Sequence, residues 1–268
     1  MRGLLFSLLW WTAWLMARGA RAVLHVAAGV LDARGLREAG TRRWNRFGLG
    51  AEVLDAGLWD WERAHYPRFL RATDRVLLVG CGTGRDLIAL LRLGYRVEGL
   101  DPAVEALAIA RQRLEASGLT APIHEGDVVT AALPGTFDAV IFSWLSYSYI
   151  PPAPARREAL RRLRAHLAPG GRVLLSYLGR DARERDLSAL TRWASRLTAA
   201  GWRAEPHDSV AERGVRRGIE YAHAFAPDDV EAEARAAGFD VVFHDPPPGA
   251  ATPFVVLAPS GTSRTNST

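Results

Sequence analysis

An apolar run, Val76-Leu77-Leu78-Val79, stops at three glycines spaced by one residue, Gly80, Gly82 and Gly84, with Cys81 and Thr83 between them. A helical pattern then begins at Asp86, Leu87, Ile88, Leu90 and Leu91. Such a stretch is a buried strand that ends in a tight turn of bare backbone and opens a helix. Glycine is needed there because a Cβ would keep a ligand from lying against the chain. Two acids follow at strand ends. Arg96-Val97-Glu98-Gly99-Leu100 reads as a short strand with Asp101 at its carboxyl end. A carboxylate about 20 residues past a glycine turn can accept both hydroxyls of a ribose. A third short strand near 122–124 leads to Glu125-Gly126-Asp127-Val128. The Asp127 carboxylate there can accept from the exocyclic amine of a purine. Together the three features describe an adenosine ligand.

The elements that must position these residues alternate. Strands are expected near 76–80, 96–100, 121–124, 137–142, 172–177, 239–244 and 253–258, and helices near 84–93, 102–117, 154–167 and 227–237. Alternation of this kind implies a mostly parallel sheet with helices on both faces, a Rossmann-like α/β fold. Residues 51–74 read as a helical lead-in with the aromatics Trp59, Trp61, His65, Tyr66 and Phe69. In the helix at 154–167, Leu160, Leu163 and Leu167 share a face, while Arg156, Arg157, Arg161, Arg162 and Arg164 fall largely outside it and read as a solvated surface. Residues 179–217 are charged, with an apolar rhythm at Leu187, Leu190, Trp193 and Leu197 that reads as a helical insertion. The tail, 260–268, reads as disordered.

At this point the chain resembles the class I S-adenosylmethionine-dependent methyltransferases. The resemblance runs from about Arg75 to Pro259. It rests on Gly80-Cys81-Gly82-Thr83-Gly84, Gly99-Leu100-Asp101-Pro102, Gly126-Asp127-Val128, Phe137-Asp138-Ala139-Val140-Ile141 and Leu167-Ala168-Pro169-Gly170-Gly171-Arg172-Val173. It implies a seven-stranded sheet in the order 3-2-1-4-5-7-6 with strand seven antiparallel, S-adenosyl-L-methionine as cofactor, and a substrate cap in the insertion after strand five. It also implies cofactor contacts at Gly80, Cys81, Gly82, Gly84, Asp86, Asp101, Pro102, Asp127, Val128 and Ser143. One position departs from the family. Two residues before the first glycine, where the family usually carries an acid that helps hold the cofactor's amino group, stands Leu78. Backbone carbonyls of the turn or Asp86 are the replacements at hand. A dehydrogenase fits worse, because its turn would read Gly-x-Gly-x-x-Gly.

Methyl transfer from a sulfonium needs alignment, exclusion of water and sometimes a base. The acceptor should meet the methyl at the end of strand four, Ser143-Trp144-Leu145-Ser146-Tyr147-Ser148-Tyr149. No Asp/Asn-Pro-Pro-Tyr motif stands there, which argues against base amines and glutamine amides as acceptors. The candidate bases are Tyr147, Tyr66, His65 and His223. Each is equally a packing or hydrogen-bonding residue, and a lipophilic acceptor would need no dedicated base. No metal site is expected.

Composition divides the chain. Its one cysteine, Cys81, allows no internal disulfide, and every basic residue besides histidine is Arg. Residues 1–50 hold eight Arg against Asp32 and Glu38, while the rest carries 26 Arg against 27 acids. The formal charge of +5 therefore belongs to the arm, and the nearly neutral remainder is a poor nucleic-acid binder. Leu4 to Ala17 is free of charge and rich in Trp. Taken as a helix over 3–17 it spans roughly 22 Å, short of the roughly 30 Å hydrocarbon core. Four readings of residues 1–31 follow: a helix in the membrane interface, a lid on the catalytic domain, a short spanning anchor, and a cleaved signal peptide. The first places the protein in the cytoplasm, peripheral to the inner face of the cell membrane, with the Arg residues on the cytoplasmic side.

The reading as a whole is an arm at 1–50 followed by a methyltransferase domain at 51–259. The expected activity is methyl transfer to O, N or S of a small or lipid-like acceptor. The alternatives are a soluble small-molecule methyltransferase with an N-terminal lid, and a catalytically silent cofactor-binding module.

Overall fold

The computed structural model describes residues 2–46, 54–180, 188–212, 216, 218–245 and 252–261. Seven strands form one sheet: β1 (Arg75–Val79), β2 (Arg96–Asp101), β3 (Ile123–Glu125), β4 (Phe137–Phe142), β5 (Leu167–Ser176), β8 (Phe239–Asp245) and β9 (Phe254–Pro259). Their order is β3-β2-β1-β4-β5-β9-β8. Pairing is parallel from β3 to β5, and β9 runs antiparallel to both neighbours. With β8 and β9 as the sixth and seventh core strands, this is the order the family resemblance implies.

Both faces of the sheet are buried, so its central strands are apolar at nearly every position. Leu77, Val79, Val140, Phe142, Val173 and Leu175 fill one side, against α6 (Ala153–Ala165) and α8 (Pro227–Ala236). Val76, Leu78, Ala139, Ile141 and Leu174 fill the other, against α4 (Arg85–Arg92) and α5 (Val104–Ala116). The lead-in helix α3 (Asp60–Phe69) closes that second side: Trp61, His65, Tyr66 and Phe69 all crowd Phe254 of β9. Its aromatics thus serve mainly as packing.

The N-terminal arm is two helices. α1 (Arg2–Val30) runs unbroken through the charge-free stretch from Leu4 to Ala17 and on past Arg18 and Arg21, and α2 (Ala33–Trp44) starts after Asp32, whose carboxylate accepts from the Gly35 N–H at 2.6 Å. A carboxylate at that position satisfies one of the orphan N–H groups of a helix start. From Leu4 to Met16 every large apolar side chain of α1 is exposed, whereas His25, Ala28 and Gly29 are buried. No described helix is long and apolar enough to cross a membrane.

Among its described residues, the region expected to be a helical insertion holds one helix, α7 (Ser188–Leu197), and the strand β6 (Asp208–Ala211), which forms an antiparallel hairpin with β7 (Glu220–His223) just beyond it. Sequence pattern missed the hairpin because its strands are only four residues long and carry Asp, Glu and His. A third apolar cluster joins Ala28, Leu36 and Ala39 of the arm to Trp202, Val210 and Ile219, and Trp202 Nε1 donates to the Leu31 carbonyl at 2.7 Å. Arm and insertion are therefore one packed unit. Of the tail, Ser260 bonds Asp240 and the Gly238 carbonyl; residues 262–268 lie outside the described residues.

Arg156 corrects the sequence reading. It lies on α6 with the other arginines, yet it is fully buried. Its guanidinium bonds Glu233 of α8 at 2.7 Å and Glu205 at 2.7 Å, and approaches the Tyr221 hydroxyl of β7 at 3.3 Å. Tyr147 donates to Glu233 at 2.6 Å, and Tyr221 donates to Asp208 at 2.6 Å. Partners on α8, on β7 and in the loop before β6 draw this one arginine inward, and helical periodicity carries no sign of them. Removing one member of a buried ion pair strands the other and costs about 3–5 kcal/mol. Arg156→Met should lose stability of that order in urea unfolding; a loss below about 1 kcal/mol would show that the network does not hold the hairpin to α6 and α8.

Candidate cofactor and acceptor site

The glycine turn lies between β1 and α4, at the carboxyl end of the sheet. Its three glycines do different work. A Cβ on Gly80 would stand 2.7 Å from the Cβ of Ser146, and one on Gly84 would stand 3.2 Å from the Cβ of Ala110 on α5. A Cβ on Gly82 would meet nothing within 4 Å. It would project into a cavity lined by Gly80, Cys81, Gly82 and Thr83. Gly84 does not line this cavity; it lies close against Ala110 of α5. Cys81 also lines it; burial holds its thiol well above its usual range, and its sulfur lies where a side chain on Gly99 would fall.

Asp101 ends β2 and faces the same cavity. One carboxylate oxygen accepts from Gly82 N–H at 2.9 Å and the other from Ala103 N–H at 2.8 Å. Burial pushes its pKa up to about 6; those two bonds act downward and the nearby Asp86 upward. Pro102 and Val128 complete this side of the lining. Asp127 lines the cavity too, but with a partner the sequence did not announce. Its Oδ1 accepts from Val129 N–H at 2.9 Å, while its Oδ2 accepts from Arg37 of α2 at 2.8 Å.

Asp86 is 1% exposed at the start of α4 and lines the cavity. Ser143, at the end of β4, donates to its Oδ2 at 2.5 Å. The neighbouring Arg85, which also lines the cavity, makes a two-pronged bond to buried Glu62 at 2.7 and 2.8 Å and pairs with Asp86 at 3.6 Å. Leu78 is wholly buried among apolar side chains, so an acid at that point of the strand is replaced by packing.

Past β4 the chain turns sharply. Leu145 sits in the left-handed region at φ 60°, its N–H bonded to Ser176 Oγ at 2.9 Å, and a single 3₁₀ turn covers Ser146–Tyr149. Non-glycine residues in that region cost of order 1–3 kcal/mol and persist where surrounding bonds fix them. The turn directs Trp144, Ser146, Tyr149 and Ile150 to the cavity. A further wall, adjoining that turn, comes from the arm: Arg37, Gly40, Thr41 and Trp44 of α2, with Trp44 against Tyr149 at 4.6 Å between ring centres. Sequence reasoning named no site residue in α2. The signal was absent because its contacts to Asp127 and Tyr149 lie some hundred positions away along the chain.

None of the four candidate bases lines the cavity. Tyr147 is fully buried and donates to Glu233, and burial holds its phenol well above the usual range. Tyr66 is buried under Trp61 and Phe254, its phenol likewise raised by burial. His65 stacks on Phe254 at 4.6 Å and faces Asp245, and burial lowers its pKa. His223 bonds Asp208 at 2.7 Å on the hairpin. With Glu205, these two bring three ligand-type atoms within 4.8 Å of one another. Arg156, Tyr221 and the Glu205 N–H occupy the same oxygens, which makes the trio part of the ionic network.

A "methyltransferase domain" family profile matches residues 76–171. The dTDP-3-amino-3,6-dideoxy-alpha-D-glucopyranose N,N-dimethyltransferase of Streptomyces fradiae is 31% identical over 199 residues, covering 68% of this chain and 74% of its own length. This chain belongs to the class I S-adenosylmethionine-dependent methyltransferases. A ubiquinone biosynthesis O-methyltransferase of Paraburkholderia xenovorans is 34% identical over 110 residues, 40% of this chain and 46% of that relative. The crystal structure of a glycopeptide N-methyltransferase with S-adenosyl-L-methionine superposes with a TM-score of 0.57 at 25% identity, covering 80% of this chain and 90% of that one. The cofactor of the methyltransferase is thus S-adenosyl-L-methionine, and the open space beside Gly82 fits a ligand laid against the turn. Gly82→Val would fill that space from a residue at φ 49°, at a backbone cost of about 1–2 kcal/mol. The variant should stay folded, yet S-adenosylhomocysteine should no longer raise its melting temperature. A thermal shift equal to that of the wild type would mean the turn does not cradle the ligand.

Proposed function

We propose that this methyltransferase transfers the activated methyl of S-adenosylmethionine to O, N or S of a small or lipid-like acceptor held between the 3₁₀ turn after β4 and α2. The observation that carries the reading is the composition of that gap: Trp44, Trp144, Tyr149 and Ile150 face it from both walls, beside the hydroxyls of Thr41 and Ser146. Aromatic and aliphatic walls with a few polar groups suit a small organic ligand and exclude water from the reacting centre. The names of the relatives, one an amino-sugar N-methyltransferase and one a ubiquinone biosynthesis O-methyltransferase, fit small acceptors at N or O.

Individual residues take these roles in the reading. Asp101 accepts the ribose hydroxyls. Asp86, oriented by Ser143, faces the cofactor's ammonium in place of the acid missing at Leu78. Asp127 faces the adenine amine and shares its carboxylate with Arg37. α2 acts as the lid, since it walls the cavity. α1 takes the interfacial role: its exposed run from Leu4 to Met16 holds the protein peripheral to the inner face of the cell membrane, in the cytoplasm. Monomeric soluble proteins rarely leave so long an apolar surface uncovered.

Two measurements check this reading. Label from methyl-labelled cofactor, supplied to a cell extract, should enter the lipid or small-molecule fraction; label confined to protein or RNA would overturn the acceptor class. Affinity for S-adenosylhomocysteine should also depend on pH with a defined sign. Ribose hydroxyls donate, so they favour the ionised carboxylate, and the free protein binds a proton at Asp101 below about pH 6. Affinity should be level above pH 7 and fall as pH drops through 6, approaching tenfold per pH unit, while Asp101→Asn should bind more weakly with a flatter profile. A wild-type profile that stays level down to pH 5 would remove Asp101 from the site.

A further inference from the structure

α7 is built the wrong way round for a helix of a water-soluble cap. Two of its three large apolar residues face out, Trp193 at 56% exposed and Leu197 at 68%, while Leu190 is half-buried. Its buried residues are Thr191, Ala194 and Ser195, all small. These pack on α1, and on no other described element to a similar extent. The two helices run side by side in the same direction. His25 Nδ1 meets Thr191 Oγ1 at 2.9 Å, and Thr198 Oγ1 donates to the Gly29 carbonyl at 3.2 Å. Between them the backbones nearly touch: a Cβ on Gly29 would stand 2.5 Å from the Thr191 carbonyl and 2.7 Å from the Ala194 Cβ. On α1, Val23 and Val30 are 68% and 53% exposed, one heptad apart and on the side away from this contact.

A helix pair in water buries its large apolar side chains and exposes its small and polar ones. A helix pair in lipid does the reverse. The surrounding tails are as apolar as leucine, so small residues let the backbones approach, hydroxyls and imidazoles bond across the seam, and large side chains point outward. The α1–α7 pair follows the second rule. Its charge agrees with an anionic surface: Arg2, Arg18 and Arg21 on α1 and Arg192 and Arg196 on α7, with no acid in either helix. Leu187, the first residue of the apolar rhythm that α7 continues, lies outside the described residues.

We infer that α7 joins α1 in one lipid-contacting surface, so that the insertion after β5 docks onto an anionic bilayer together with the N-terminal helix. This rests on the interfacial role proposed above for α1 and extends it to a second, distant segment of the chain. Because α2 continues from α1 and walls the cavity, the same surface sets the acceptor gap beside the bilayer. Acceptors that partition into lipid are then the class best placed to enter.

The test uses the full chain with Trp193→Cys carrying a solvent-sensitive fluorophore. Cys81 is buried, and burial holds its thiol pKa well above the usual range, which leaves the new cysteine as the reactive one. On addition of vesicles of equal phosphatidylglycerol and phosphatidylcholine, the protein should float with the lipid, and the label should shift to the blue and lose most of its quenching by iodide. Trp193→Glu/Leu197→Glu should bind the vesicles roughly tenfold more weakly or worse, with S-adenosylhomocysteine affinity unchanged. A protein that floats while the label stays as quenchable as in buffer would overturn the role of α7 and leave that of α1 standing. A protein that stays off the vesicles at low salt would overturn both. A label that is protected without lipid, in step with a doubling of mass by light scattering, would make the surface a contact between two copies and overturn the inference.

Discussion

The Asp101 carboxylate is where the turns after β1 and β2 meet at the cavity. One oxygen takes the N–H of Gly82, in the turn after β1, and the other takes the N–H of Ala103, in the turn after β2. Two loops that a strand and a helix separate in sequence are thereby set at fixed distance across one buried charge. The arrangement has an energetic cost, since burial raises the carboxyl's pKa to about 6. Parallel pairing of Val79 with Leu100 brings the two turns level, and the apolar strands hold that register because a one-residue slip would turn every side chain to the wrong face.

The same reasoning explains what was legible in the sequence. The strands, the glycine turn and the acids at 101 and 127 follow from local pattern and spacing, because each element carries its own signal: apolar runs, glycines where a ligand or helix comes close, carboxylates at strand ends; the order of the strands in the sheet follows from the family resemblance. What escaped notice depends on partners far away in the chain. Arg156 looked like a surface residue until Glu233, Glu205 and Tyr221 were brought to it. Arg37 and Trp44 looked like part of a basic arm until α2 was laid across Asp127 and Tyr149. The hairpin's strands are too short and too polar to show an alternating pattern, and their place is fixed by Ile219, Tyr221 and Val210 against α2 and Trp202. Candidate bases chosen by residue type were misplaced for the same reason: Tyr147 and Tyr66 lie in the core, where a phenol packs or donates to a neighbour.

Arm and insertion come from opposite parts of the chain yet share one apolar cluster, with Ile219 N–H bonded to the Ala39 carbonyl at 3.1 Å and Arg43 paired to Glu220 at 3.1 Å. This wall of the cavity is consequently not a simple loop over a sheet. It is α2 held down by the hairpin, with α1 and α7 extending from the same unit.

The most direct test of the account is calorimetric titration of S-adenosylhomocysteine into the wild type and Asp101→Ala at pH 7.5. Losing bonds to a charged acceptor costs about 1.5–3 kcal/mol, so the account predicts affinity lower by about 10- to 150-fold in a variant that still unfolds cooperatively. Affinity equal to the wild type in a folded Asp101→Ala protein would contradict it.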